Sequence, residues 1–345
     1  MTAGLLAANL IGHGEVVELL QHELAKPSHA YLFVGPAGVG KATVARDFAR
    51  LLLCPIGGDH VEPCRSCRRI ASGNHPDLVL VEPEGRASLG VETARSVISQ
   101  AVLSPVESER RVFLAEDAGT MTEQAANALL KTLEEPTAAV TFLLVSESED
   151  DFPLTVASRC RVVRFGRVPE DELTAELERQ GLAAEEARVL ALVSGGRPGL
   201  ALQLGSEPQV ADLRQAWLNL PSRLSGRPGD SFRLAEEMIA LIEPLASELA
   251  GTVAGGAEQR DRAKRRATQS LLASGLEILA SFYLDSASLQ LGGPIRNRDV
   301  ALSELARVSP AIAVNAANLI LDAVVDLIGN LRPLPLLAAL FTSLE

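Results

Sequence analysis

The chain has 345 residues, of which 47% are hydrophobic and 22% charged, with a formal net charge of -12. At ~100–200 residues per domain this length predicts two or three domains, and the apolar share excludes wholesale disorder. Aromatics at 3% and the acidic balance exclude a protein that grips nucleic acid alone, whether by stacking rings or by a broad basic face.

The N-terminal MTAGLLAANLIGHGEVVELL has no basic leader region and meets His13 and Glu15 before a long apolar run accumulates, so no targeting segment is expected. No stretch of about eighteen apolar residues free of charge stands out, and no membrane span is expected. Four cysteines are too few for a disulfide-built fold of this length. Three of them, Cys54, Cys64 and Cys67, lie close together, which in a cytosolic chain points to metal before disulfide. The expected location is cytoplasmic.

Short β-type runs alternate with helical patterns through residues 1–166, which predicts a mainly parallel sheet covered by helices. The expected strands are Ala30–Val34, Asp77–Val81, Arg111–Ala115, Val140–Ser146 and Arg161–Phe165. Between them fall helices such as Ala42–Leu53, Val91–Ala101 and Thr122–Glu135, the last with a stripe of Ala125, Ala128, Leu129 and Leu133 that stops at Pro136. After Arg167 the strands stop. Pro169 with Glu170 and Asp171 opens a helix that Gly181 ends, and a second helix covers Ala184–Ser194. Gly195-Gly196-Arg197-Pro198 breaks the chain before a third. Residues 167–206 therefore read as a small helical lid. Residues 207–345 read as helix, punctuated at Pro221, Arg227-Pro228-Gly229 and Gly292-Gly293-Pro294, with Glu258–Arg266 as a solvated mixed-charge face.

The strongest motif is Gly35-Pro36-Ala37-Gly38-Val39-Gly40-Lys41, between the run Tyr31-Leu32-Phe33-Val34 and a helix. This is the G-x-x-x-x-G-K phosphate loop in its strand–loop–helix setting. Its glycines let backbone N–H groups surround phosphate oxygens, and Lys41 would bridge the outer phosphates. The next residue is normally Ser or Thr, whose hydroxyl binds Mg²⁺; here it is Ala42. Thr43 is one position on, a helical rotation of about 100°, and cannot replace it without shifting the helix. Loop shape is kept and the metal site is impaired, so the loop leaves room for ATP or ADP but offers no proper Mg²⁺ shell, and the sequence leaves open whether nucleotide binds. The run Val112-Phe113-Leu114-Ala115 ends in Glu116-Asp117, where phosphate-loop enzymes place carboxylates for the metal and the attacking water. The usual order is Asp-Glu, and its reversal misplaces both groups. An error of about 1 Å at the chemistry costs on the order of a hundredfold in rate, so hydrolysis by this chain is expected to be weak or absent.

His29-Ala30-Tyr31-Leu32-Phe33-Val34-Gly35, Asn127-Ala128-Leu129-Leu130-Lys131-Thr132-Leu133-Glu134-Glu135-Pro136 and Ser158-Arg159-Cys160 together resemble bacterial clamp-loader subunits of the AAA+ family. The resemblance covers nearly the whole chain and, with the damaged loop, is greatest to the delta-prime type of the DNA polymerase III clamp loader. It implies an AAA+ core at residues 1–166, a helical lid at 167–206 and an all-α oligomerisation collar at 207–345. It also implies a hetero-pentamer with motor and delta subunits that opens a sliding clamp and loads it at primed DNA. Arg159 would then be an arginine finger offered in trans to a neighbour's nucleotide; taken by itself, it would read as a surface ion pair. Glu147, following the strand end Ser146 where ATPase members place a polar sensor, would repel a γ-phosphate. Arg197 resembles the second sensor of the lid, or is a helix-start arginine facing water. The alternative of an ATP-hydrolysing motor subunit is what Ala42, the Glu116-Asp117 order and Glu147 count against.

The pair Cys64-x-x-Cys67 has the spacing that chelates tetrahedral Zn²⁺, and Cys54 adds a third thiolate. The family carries a four-cysteine zinc module at this place. Here Val61 stands where the remaining cysteine is expected, so the fourth ligand of a structural zinc would be His60 or Asp59. Cys160 reads as a buried small residue.

Overall fold

The computed structural model describes residues 10–58, 60, 62–83, 88–136, 139–205, 208–227, 229–251, 257–328 and 331–344. They fall into two compact units, one comprising residues up to Glu172 together with Arg197–Gly199, the other comprising Leu173–Gly196 and Leu200 onward.

The first unit is built on five parallel strands: β1 (Ala30–Val34), β2 (Leu78–Leu80), β3 (Arg111–Ala115), β4 (Val140–Val145) and β5 (Arg161–Arg164), in the order β2-β3-β4-β1-β5. Ala30 pairs with Phe142, Tyr31 with Arg161, and Arg111 with Val140. Every residue of β1, β3 and β4 is buried, as required of strands covered on both faces. The side-chain period of two sorts them into two cores. Tyr31, Phe33, Val112, Leu114, Leu143 and Val145 face one layer. It is completed by α1 (Gly14–Glu23), α2 (Lys41–Leu53) and α3 (Arg65–Ala71). Ala30, Leu32, Val34, Phe113, Phe142 and Leu144 face the other, against α4 (Val91–Ala101), α5 (Glu123–Glu134) and α6 (Leu154–Ala157). Helix α5 starts at the N-cap Thr122, whose side chain accepts the N–H of Ala125, and stops before Pro136. The expected strands and helices lie within a residue or two of these bounds.

The second unit is helical. Most of α7 (Glu170–Arg179) and all of α8 (Ala184–Ser194) belong to it, and Gly195 ends α8 with a left-handed φ of 59°. Beyond α9 (Pro198–Leu204) come α10 (Pro208–Asn219), α11 (Asp230–Gly251), the 35-residue α12 (Ala257–Leu291), α13 (Leu302–Leu305), α14 (Pro310–Ile328) and α15 (Pro333–Ser343). Leu271, Leu272, Leu276, Leu279 and Phe282 of α12 are buried at its centre. Asp285 accepts N–H bonds from Arg296 and Asn297 at 2.9 and 2.8 Å, which fixes the turn after α12. No span was expected, yet α14 is long and apolar enough to cross a membrane, with a mean hydropathy of 1.5 over Pro310–Leu327. It carries exposed Asp322 and Asp326 and buries Ala313, Ala317, Ile320 and Leu327, packing against α12.

Candidate functional site

Because β3, β4 and β1 are adjacent and parallel, their carboxyl ends bring Glu116, Ser146 and Gly35 side by side. The phosphate loop leaves β1 through Gly35, Gly38 and Gly40, at φ of 143°, 78° and 102°. A Cβ at Gly35 would run into the Phe165 carbonyl, so the first glycine is needed for close approach as well as for its torsion. Lys41 opens α2 but is folded back: its ammonium donates to the carbonyls of Gly35 and Pro36, each at 2.6 Å, and is 7% exposed. Burial pushes the Lys41 ammonium down to about 8, with Glu147 and Asp151 opposing that shift.

Among the other expected metal ligands, Glu116 is also engaged within the chain. Both carboxylate oxygens of Glu116 accept from the guanidinium of Arg46, one turn along α2 from Ala42. Ser146 donates its hydroxyl to Asp151, which also accepts the Ser148 N–H at 3.0 Å. The Asp117 carbonyl accepts the N–H and hydroxyl of Thr120 at 3.0 and 2.7 Å. Thr43 is exposed. Arg197 is buried at 4% exposure, and two residues on, the Gly199 N–H donates to the Gly38 carbonyl at 2.8 Å. On the other flank His13 leans on the backbone of Val39 and meets the Phe165 ring edge-on at 5.0 Å; burial lowers its pKa. A cavity of about 390 Å³ beside Gly35 is lined by Glu147, Glu149 and Asp150 against one cation, Arg164, which pairs with Glu149. That excess of carboxylates disfavours a polyphosphate.

Arg159 follows α6. Its guanidinium pairs with Glu134 at 2.6 Å, at the last residue of α5, and donates to the Thr155 carbonyl at 2.7 Å. Cys160 is half-buried, less enclosed than expected, and burial pushes its thiol up to about 12.

The cysteine cluster closes in space. Cys54 ends α2, Cys64 caps the start of α3, Cys67 lies in its first turn, and the connecting loop returns His60 to them. The Cys54 sulfur is 3.6 Å from His60 Nε2 and 4.0 Å from the Cys64 sulfur; His60 Nε2 is 3.2 Å from the Cys67 sulfur. A tetrahedral ion with bonds of ~2.3 Å to sulfur and ~2.0 Å to nitrogen separates its ligands by ~3.5–3.8 Å. The four donors fit one metal ion. The backbone N–H of Cys67 lowers the Cys64 pKa, whereas burial pushes Cys67 up to about 12, partly offset by Arg50. Asp59 and Val61 lie outside the described residues.

A family model described as "DNA polymerase III, delta subunit" matches residues 12–169, the unit that carries this site. The DNA polymerase III subunit delta' of Bacillus subtilis is 35% identical over 222 residues, covering 63% of this chain and 66% of the relative. The chain is delta-prime-like. The subunit delta' of Pseudomonas aeruginosa is 36% identical over 186 residues, 52% of this delta-prime-like chain and 56% of its own. The subunit tau of Escherichia coli is 27% identical over 314 residues, covering 88% of the chain but 48% of tau. The matched stretches thus span less than two thirds of these relatives' lengths.

Sequence reasoning missed Arg46, Asp151 and Gly199, the groups that occupy the site's own polar atoms. Arg46 carries a readable signal, standing five residues after Lys41 on the helix that faces the acidic strand end. Asp151 and Gly199 carry none, because their partners are fixed only by tertiary placement.

Proposed function

We infer that this delta-prime-like chain is the stator subunit of a DNA polymerase III clamp loader. It joins motor and delta subunits in a hetero-pentamer through its C-terminal helices, and assists ATP-driven loading of a sliding clamp at primed DNA. The observation that carries this reading is the contrast between its two phosphate-directed features. In the loop, Lys41 is bonded to its own carbonyls, Glu116 is bonded to Arg46, and position 42 lacks a hydroxyl. On the surface, Arg159 stands half-exposed, held by the Glu134 carboxylate, the Thr155 carbonyl and the Ser158 hydroxyl. A chain so arranged gives transition-state stabilisation to a neighbour's nucleotide rather than hydrolysing its own.

The division into a core at residues 1–166, a lid at 167–206 and a collar at 207–345 belongs to the same reading. ATP or ADP contacts the loop glycines and Lys41 weakly at most, with Thr43, Glu116 and Asp117 unable to complete a Mg²⁺ shell. Cys54, His60, Cys64 and Cys67 hold a structural zinc, which when bound supplies a four-way cross-link and no catalysis. The location is cytoplasmic, the sliding clamp is reached through the complex, and the acidic chain meets DNA only as part of a ring.

The test uses the complex reconstituted with motor and delta subunits. Arg159→Ala is expected to lower turnover at the abutting ATP site by on the order of 10³, with assembly unchanged in sedimentation. Unaltered turnover would overturn the finger, and robust ATP hydrolysis by the isolated chain would instead make it a motor subunit.

A further inference from the structure

Between Cys64 and Cys67 stands Ser66, which is not itself a ligand. Its hydroxyl donates to the Leu53 carbonyl at 3.2 Å, and Leu53 immediately precedes Cys54. One hydroxyl therefore ties the chain carrying the first thiolate to the helical turn carrying the other two. Behind it lies His75, whose side chain is fully buried, with Nε2 2.9 Å from the Ser66 oxygen.

The direction of these bonds follows from counting protons. The Asp77 N–H donates to His75 Nδ1 at 3.2 Å, so Nδ1 is an acceptor and the ring proton sits on Nε2. Ser66 has one proton and gives it to Leu53, so its oxygen receives the bond from His75. The Glu107 carboxylate, 3.2 Å from the same Nε2, shares that one proton as the longer arm of a bifurcated bond and is itself paired with Arg69 at 2.6 Å. Asp77, fully buried, anchors the far end by accepting the N–H groups of Val106, Glu107 and Ser108 at 2.6, 2.9 and 2.9 Å. A directed relay thus runs from the edge of the sheet to the cluster: Asp77 N–H to His75, His75 to Ser66, Ser66 to Leu53.

We propose that Ser66 and His75 are positioning residues of the Cys54–His60–Cys64–Cys67 metal site, holding α3 against the end of α2 so that the three thiolates are already at ligand separation. This rests on the reading of the cluster as a metal site. Outer-shell partners of this sort change metal affinity by ~10–100-fold.

The experiment uses the full chain and Zn²⁺ alone, titrated in competition with a chromophoric chelator, with bound zinc counted by metal analysis. Ser66→Ala is expected to bind zinc ~10–100-fold more weakly, and Ser66→Thr, which keeps the hydroxyl, to restore wild-type affinity. His75→Gln serves as a second, independent variant with the same expected loss. Melting is then compared with and without excess chelator. A positioning role shrinks the zinc-dependent gain in Tm, whereas a merely structural role lowers both curves equally and overturns the proposal. If wild type holds one zinc and Ser66→Ala binds it equally well, the relay fails while the metal site stands. If wild type holds no zinc, both fail.

Discussion

Lys41 offers a sharp quantitative test of the phosphate loop. Its ammonium is enclosed among loop carbonyls, and burial brings its pKa from 10.5 to about 8. Between those two values the folded chain has released the proton while the unfolded chain still holds it. The unfolded state then binds more protons, so this group makes stability rise with pH across the window from about 8 to 10.5. Below the window the buried charge costs its full amount; above it the cost is gone. A gap of about 2.5 in pKa corresponds to about 3 kcal/mol. Burial raises the pKa of Tyr31 and brings Cys67 up to about 12, and both act in the opposite sense as pH rises. The measurement is therefore a difference. Urea unfolding of wild type and Lys41→Met, followed by circular dichroism through the transition of the phosphate-loop unit, is compared at steps from pH 7 to 11. Wild type is expected to gain about 3 kcal/mol on the variant across the window. A difference that stays flat would refute the enclosed ammonium.

Two glycines give further tests. A methyl at Gly275 on α12 would overlap the indole of fully buried Trp217, so Gly275→Ala is expected to destabilise the second unit by about 1–3 kcal/mol from overpacking, less up to about 1 kcal/mol of helix propensity. Trp217 is the chain's one tryptophan, and an unshifted unfolding midpoint in its emission would contradict this. A methyl at Gly199 would lie 2.8 Å from the Gly38 carbonyl and break the hydrogen bond between them, so Gly199→Ala is expected to speed amide exchange across Gly35–Lys41. Unchanged protection there would mean that the contact does not hold the loop.

The sheet was legible in the sequence because its strands are buried on both faces and read as unbroken apolar runs, such as Ala30–Val34 and Val140–Val145. The loop was legible because its glycines are fixed by backbone geometry, and the cysteine cluster because two thiolates sit a helical turn apart. The partners of those groups were not. Arg46 and Glu116 are 70 residues apart in sequence, and Ser66 and Leu53 meet only because α3 folds against α2. Pattern identifies the groups that carry chemistry; only tertiary packing decides what neutralises them. The apolar character of α14 goes with its alanine-rich packing against α12, where the inward face carries no charge.

The pair between Arg159 and Glu134 has a consequence of its own. Glu134 is the last residue of α5, where the helix dipole disfavours a carboxylate, and the guanidinium relieves that end. A half-exposed pair of this kind contributes ~0–1 kcal/mol, so releasing the guanidinium from Glu134 costs no more than a factor of about five in an equilibrium constant. Glu134 is therefore a weak latch. In the proposed role it would keep a long, flexible side chain aimed in one direction and yield it to a neighbour's phosphate at small expense.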